Sequence, residues 1–531
     1  MTGRILLGLL ILFGLGVRLR EIDQPIVRFH PTRHYRSAVL ARACYYDRAR
    51  DIPAWAKRVA DANRDMQQAG ELPLMEWLAC ASYLALGRED VAIPRAYAVI
   101  IWVSGAIPLW LLAGRVASPT AAGVAAALYL FLPYGIVASR NFQPDQLMTV
   151  ACLWALLALV RHHDRPDRRR FATAVALVAA AGLVKPMSVF VTIPVALVLT
   201  GGIRIALLAL IAPVLYYGYS AVAGSLVQDQ MRMRFEPHLI LTSFFWGGLA
   251  NMIATVQTLP LFIVALLAMF FARDRVSRRV LAALFAGYVA FAIVFTYHMP
   301  THDYYHLPYL AVTALGVSIL IARWHHRLVV TAVTSLTVTL GSIQAWPRLH
   351  VDDAANYQRV YEEIGELAQH DIKALFLDAE YGFAMMYHGQ ISGDSWPNQD
   401  DLLAEAIDGR AAVDAETRFV RDYEEWGPRY FIVTDLASFN ASPDLQALLD
   451  RRAAPVHDLH DERRAARRSG VGALGRRRGR PPRVHEVRPR EVGRPCLHAL
   501  PAERPRLRFQ ERLRVACGRL LVHVRGKPAQ G

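Results

Sequence analysis

The chain has 531 residues, 54% of them hydrophobic and 20% charged, with a mean hydropathy of +0.22. That is too apolar for an ordinary soluble domain and too long for one small core. The formal charge of +15 sits in residues 451–531, which hold 22 Lys+Arg against 7 Asp+Glu; residues 1–450 hold 38 of each and are neutral, which excludes a nucleic-acid-binding reading of the whole chain.

Long apolar runs dominate the chain order. A spanning helix needs about 20 mostly apolar residues. The first run is 4–18; no small-residue cleavage site follows it and Arg18 and Arg20 come next, so it reads as a retained span rather than a signal peptide. Further runs are 94–113, 120–138, 146–160 and 171–200, the last split into two helices at Lys185-Pro186. Then come 203–222, 257–272, 280–297, 307–323 and 328–346. The expectation is a mainly α, polytopic membrane protein with about 11 transmembrane helices. A helix over 72–87 is read as lying at the membrane interface.

That interfacial reading follows from charge. Three short loops are strongly basic: Arg161 to Arg170, Arg273 to Arg279, and Arg323 to Arg327. Eleven spans counted from a cytoplasmic N-terminus put all three inside, as basic short loops require, whereas a twelfth span at 72–87 would put them all outside. The extracytoplasmic face then receives the loop 18–93, the loop around Ser139–Gln146, the Lys185-Pro186 turn, the loop 223–256, Tyr297–His306 and everything beyond 347. Residues 18–71 are themselves basic, with 11 Lys+Arg against 7 acids, which suits an anionic ligand such as a lipid phosphate.

Residues 348–452 change character. A helix is expected over Tyr357–Ala368 and another over Ser442–Arg451. Buried strands ending in Asp378 and Asp435 complete a small extracytoplasmic α/β domain. The strands carry no Gly-rich phosphate loop, so packing accounts for them better than a nucleotide site. The tail 453–531 is Arg-rich with scattered Pro and Gly; it reads as disordered or frameshifted, with a strand of the α/β domain lost near Val456–His460. Five cysteines (Cys44, Cys80, Cys152, Cys496, Cys517) show no metal-like spacing, and neither a zinc site nor a disulfide framework is expected.

Charges at membrane depth are costly, so polar groups on this scaffold are functional candidates. In the first outer loop these are Asp23, His30, Arg33, Arg36 and Asp47. If 33–48 is helical, Arg33 and Arg36 are an i,i+3 pair able to grip phosphate oxygens, or else a solvated basic face. Glu71 sits just before the interfacial helix, as a cap or as a group orienting an acceptor or metal. Arg140 and Asp145 flank a tight loop; they either clip two helices together or offer Asp145 to a substrate hydroxyl. Lys185 at its hairpin tip either snorkels to the interface or meets a phosphate. His302, Tyr304, Tyr305 and His306 crowd one outer helix junction, with spacing that suits sugar and phosphate hydrogen bonding better than a metal.

In this order, the residues resemble the GT-C membrane glycosyltransferases, specifically the bacterial protein-mannosyltransferase-like and aminoarabinose-transferase-like branch. The features that carry the resemblance are Arg-Leu-Arg20 before a large outer loop, Glu71-Leu72-Pro73, the loop Arg140 to Asp145, Lys185-Pro186, and His302 to Tyr305, over about 1–450. The resemblance implies inverting transfer of a sugar from a polyprenyl-phosphate donor, at the outer face of the bacterial plasma membrane. The acceptor would be a protein, lipid or glycan, with no nucleic acid involved and no cofactor fixed, a divalent metal being left open. The family's usual first-loop acid is missing, because the sequence reads Phe29-His30-Pro31 there. Replacements are His30, Asp23, Asp47 or Asp145, with Asp145 assisted by His30 preferred. A glycolipid transporter or flippase, or a non-catalytic lipid-sugar-binding subunit, are the competing readings. A flippase fits less well because no repeated halves are visible and the polar residues cluster at one face.

Overall fold

In the computed structural model, the described residues are 2–27, 29–67, 70–222, 235–323, 327–351, 354–458 and 520–524. The expectations for residues 223–234, 324–326, 459–519 and 525–531, including those for Cys496 and Cys517, lie outside them.

Every apolar run named above forms a helix. The first is α1 (Thr2–Leu19). The large loop after it carries α2 (Pro31–Arg48), α3 (Ala54–Asp65) and α4 (Leu74–Leu86). Two runs are broken: α5 (Ala92–Ser104) passes into α6 (Ala106–Val116), and α7 (Ala122–Phe131) into α8 (Pro133–Ala138). Pro133 ends α7 because it has no N–H to continue the ladder. Next come α9 (Asp145–Asp164) and α10 (Arg168–Val184). Lys185 precedes a proline and is accordingly extended, at φ −159° and ψ 127°, so the chain turns there before α11 (Val189–Leu197) and α12 (Gly202–Val222). The later helices are Leu259–Phe271, Arg275–Val294, Leu307–Ile321 and Arg327–Leu349.

Among the described residues, five helices are long and apolar enough to cross a membrane on those criteria alone. A sixth candidate is the pair Ser243–Val256 and Leu259–Phe271, bent by 95°. The first half of that pair lies in the stretch 223–256, which was expected to be an outer loop. The helices pack closely through small residues. A Cβ on Gly287 would stand 1.9 Å from the Phe190 carbonyl oxygen, and one on Gly341 would stand 1.7 Å from that of Phe131. Without water to drive association in a membrane, such close backbone approach is what holds helices together.

The expectation of no disulfide is overturned. Cys44 and Cys80 are bonded, joining α2 to α4. Their separation of 36 residues matches no spacing signature, because the pairing depends on two helices folding back on each other.

The three basic loops do gather at one end of the bundle. Arg115, at the end of α6, holds Asp164 through two bonds of 2.8 Å and reaches Asp274 at 3.4 Å. Arg273 donates to the Ala322 carbonyl at 3.0 Å. Helix α9 runs for 20 residues away from this end, about 30 Å at 1.5 Å per residue. Asp145 begins it at the far end.

The chain divides into two compact units. The first comprises 1–372, 380–394 and 403–412; it therefore takes the helix Ala354–Leu367 and parts of the segment expected to form a separate α/β domain. The second comprises 373–379, 395–402 and 413–531. Strands Ala374–Leu377 and Tyr430–Val433 pair in parallel, as their buried apolar patterns anticipate. Tyr430–Val433 also pairs antiparallel with Leu520–Val524, which pairs in turn with Ala453–Asp458. The tail thus supplies two strands, one of them at the position where a strand was expected to be lost. The acidic strand ends are used locally: Thr434 donates to Asp378, and Asp435 caps the short helix Leu436–Asn440.

Candidate active site

The site lies at the end of the bundle opposite the basic loops, within the first unit. Its base is Lys185, whose side chain is 2% exposed and rests on two carboxylates. Nζ donates to Asp145 Oδ1 at 2.8 Å and stands 3.5 Å from Glu71 Oε1. The ammonium also faces the rings of Tyr304 and Tyr305, at 5.4 and 5.8 Å from their centroids, where the ring quadrupoles attract a cation. An ammonium this deep requires such partners.

Helix α2 delivers the arginines. Arg33 Nη2 donates to the Tyr304 hydroxyl at 3.1 Å, and Arg36 lies one turn further along. Burial alone would raise the Glu71 carboxyl, but Lys185, Arg33 and Arg36 together hold it down at about 2. Glu71 therefore faces three cations, Asp145 is bonded to one of them, Lys185, and Glu76 on α4 lies near Arg36.

His30 stands at the N-terminus of α2. Its Nε2 lies 2.5 Å from Asp303 Oδ1, and its ring sits edge-on to Tyr304 at 4.8 Å. The residue is left-handed, φ 43° and ψ 56°, a conformation that is uncommon outside glycine. Three contacts fix it there. Asn141 Nδ2 donates to the Phe29 carbonyl at 3.1 Å. Thr32 donates to Glu380 Oε2 from its backbone N–H at 3.1 Å and from its hydroxyl at 2.7 Å. Pro31 starts α2, a position where its lost N–H costs nothing. Next to Asp303, His302 pairs with the Thr301 hydroxyl at 2.7 Å. Burial, then the charge of Arg33, lower His302 to about 3, so it is neutral.

The expected site residues thus separate into two groups. His30, Arg33, Arg36, Glu71, Asp145, Lys185, His302, Tyr304 and Tyr305 are linked through these contacts. Four others are engaged differently. Asp23 is exposed on the loop after α1. Asp47 is exposed beside Arg48, 14 residues and about 21 Å along α2 from Arg33. Arg140 is not the partner of Asp145; its guanidinium donates to the carbonyls of Arg20, Glu21 and Leu349, stitching helix ends. His306 is fully buried with both ring nitrogens occupied, Nδ1 by the Tyr288 hydroxyl at 2.7 Å and Nε2 by the Met299 carbonyl at 2.8 Å. Asp145, preferred as the base from sequence, is the buried counter-ion of Lys185.

Asp303, Glu380 and Asn141 are contributors that sequence reasoning passed over. Asp303 lay inside the quoted His302–Tyr305 motif, and its acidity beside two histidines was the available signal. Among the described residues, no group of three His, Cys, Asp or Glu side chains converges to hold a metal ion. At this end Asp145 and Glu71 face Lys185, and Asp303 faces His30.

The fold is that of the GT-C membrane glycosyltransferases. ArnT from Cupriavidus metallidurans bound to undecaprenyl phosphate matches with a TM-score of 0.53 at 13% identity, covering 85% of this chain and 95% of that one. AglB, the oligosaccharyltransferase of Archaeoglobus fulgidus, in complex with an inhibitory peptide and a dolichol-phosphate, matches at 0.53 and 12% identity, covering 82% and 69%. The Archaeoglobus fulgidus oligosaccharyltransferase in complex with Zn and sulfate matches at 0.52 and 13%, covering 85% and 71%. More particularly, residues 70–227 match the dolichyl-phosphate-mannose-protein mannosyltransferase family. That segment contains Glu71, Asp145 and Lys185. No curated protein matches the chain at a significant level.

Proposed function

We propose that the chain is a glycosyltransferase that moves a sugar from a polyprenyl-phosphate donor to an acceptor at the extracytoplasmic face of the bacterial plasma membrane. The observation that carries this reading is the convergence of Lys185, Arg33 and Arg36 on one site with Glu71 and Asp145. Three cations gathered at one site offer donors to an anion, and arginine forks suit phosphate oxygens. As the bond between the anomeric carbon and the phosphate oxygen breaks, charge develops on the departing lipid phosphate. Fixed cations lower the barrier by stabilising it there. The lipid phosphates in the ArnT and AglB structures support the same donor class.

Three features support the outer face. The basic loops lie at the opposite end of the bundle, and basic short loops stay in the cytoplasm. The helix α4, 13 residues long, is shorter than the about 20 residues a span needs, in keeping with its interfacial reading. The Cys44–Cys80 disulfide belongs to an oxidising compartment rather than the cytosol. Attack on the side opposite the phosphate inverts the anomeric centre.

The test is turnover of a panel of polyprenyl-phosphate sugars by purified protein in nanodiscs, with cell-envelope extract as acceptor. The expected result is release of polyprenyl phosphate with the sugar moved to an acceptor. Donor binding without turnover would contradict the reading.

A further inference from the structure

Resting on that glycosyltransferase reading, we infer that His30 is the general base, that Asp303 positions it from 273 residues away, and that the acceptor is therefore a hydroxyl compound. The missing first-loop acid is replaced by a pair, its imidazole on α2 and its carboxylate at the junction before the helix Leu307–Ile321.

The geometry assigns the two nitrogens different work. A carboxylate only accepts, so the 2.5 Å contact with Asp303 Oδ1 puts the proton on Nε2. That fixes the tautomer and leaves the Nδ1 lone pair as the base. Nδ1 has no hydrogen-bond partner among the described residues, and the ring retains 28% exposure. Asp145, by contrast, has its Oδ1 taken by Lys185 and only 3% exposure. His30 is thus the base that an incoming acceptor can reach.

The backbone strengthens the argument. A histidine in the left-handed region costs about 1 kcal/mol or more, and such positions persist only when surroundings hold them. Here Asn141 on the Phe29 carbonyl, Glu380 on Thr32 and Asp303 on the ring do so together. The groups facing His30 are Asp303, His302 and Tyr304 from one junction, Arg33 on its own helix, and Tyr134 beyond Phe29. Asp303 is the acid bonded to the ring, and so the group placed to stabilise an imidazolium.

The step balances. The acceptor hydroxyl oxygen attacks the anomeric carbon while His30 Nδ1 takes its proton. The bond from that carbon to the phosphate oxygen breaks, and its electron pair leaves with the lipid phosphate. Asp303 remains ionised and stabilises the imidazolium, which later gives the proton to water. A hydroxyl needs this help because it is a poor nucleophile until deprotonated, whereas a phosphate acceptor is already anionic and needs no base.

The test compares wild type with Asp303→Asn and His30→Gln in nanodiscs. It measures kcat and KM for an undecaprenyl-phosphate sugar across pH, and undecaprenyl phosphate binding as a check on folding. Both variants keep a group able to hydrogen-bond at the same place. The expected result is wild-type lipid binding with kcat lowered by about 100-fold or more in each. In Asp303→Asn the acid limb of the rate profile also moves to lower pH, because the charge favouring the imidazolium is gone. Rates within about threefold of wild type, or an unmoved acid limb in Asp303→Asn, would overturn the pair. If a variant loses lipid binding, transfer by the other decides. A wild type that binds lipid but transfers nothing would overturn the glycosyltransferase reading itself, and the pair with it.

Discussion

The two ends of α9 each carry an aspartate paired with a cation, in opposite surroundings. Asp164 meets Arg115 through two well-formed bonds, with side chains 29% and 38% exposed. Asp145 meets Lys185 through one, at 3% and 2% exposed. Better geometry lies at the exposed end and greater energetic consequence at the buried one. Water screens the first pair, while nothing replaces a lost partner in the second. The buried pair also shares its cation with Glu71 and its surroundings with Arg33 and the tyrosines, so it is part of a site rather than a clasp.

This contrast is sharpest in Lys185→Met, which leaves Asp145 and Glu71 buried without their ammonium. Removing one partner of a buried pair costs about 3–5 kcal/mol. Both the melting temperature in detergent and donor binding are expected to fall steeply. Arg33→Gln removes a phosphate fork without orphaning a carboxylate. A charged hydrogen bond is worth about 1.5–3 kcal/mol, so donor affinity should weaken by roughly 10- to 100-fold with little change in melting. Opening the Cys44–Cys80 bond in Cys44→Ser and Cys80→Ser should lower stability by about 2–4 kcal/mol, read as a melting shift equal to that of reduced wild type.

Glu71 gives the pH version of the comparison. Its native carboxyl is held near 2, below the ordinary value of 4.5. The stability it contributes is complete above about 4.5 and is lost as pH falls towards 2. The melting temperature should accordingly keep a contribution from Glu71 that is flat from pH 5 upward, and Glu71→Gln should reduce its fall below 4.5. Arg115→Ala should have the smallest effect, about 1 kcal/mol or less, and leave transfer untouched.

Much of this architecture was legible because membrane helices announce themselves by length and apolarity. The runs from 4–18 to 328–346 all became helices, and Lys185-Pro186 split its run where the residue before a proline must extend. The helix Ser243–Gln257 was missed because its Gly and Asn interrupt the apolar run and it stops at a sharp bend. Arg33, Glu71 and Lys185, each singled out as a polar group on an apolar scaffold, lie together in the structure. Which acid served which cation was not legible, because Asp145 lies five residues from Arg140 but finds Lys185, 40 residues away. Pairing across helices depends on packing, and a single sequence carries no direct record of it. The same holds for His30 with Asp303 and for Cys44 with Cys80. In the tail, whose composition suggested disorder or a lost frame, the described residues Leu520–Val524 carry a short apolar run that forms a strand.

The most direct measurement is the release of undecaprenyl phosphate from an undecaprenyl-phosphate sugar by purified wild type and Arg33→Gln, in nanodiscs with envelope extract. The account expects release coupled to sugar transfer in wild type and at least a tenfold loss of donor affinity in the variant. Absence of release by a wild type that still binds the lipid, or release indifferent to Arg33, would contradict it.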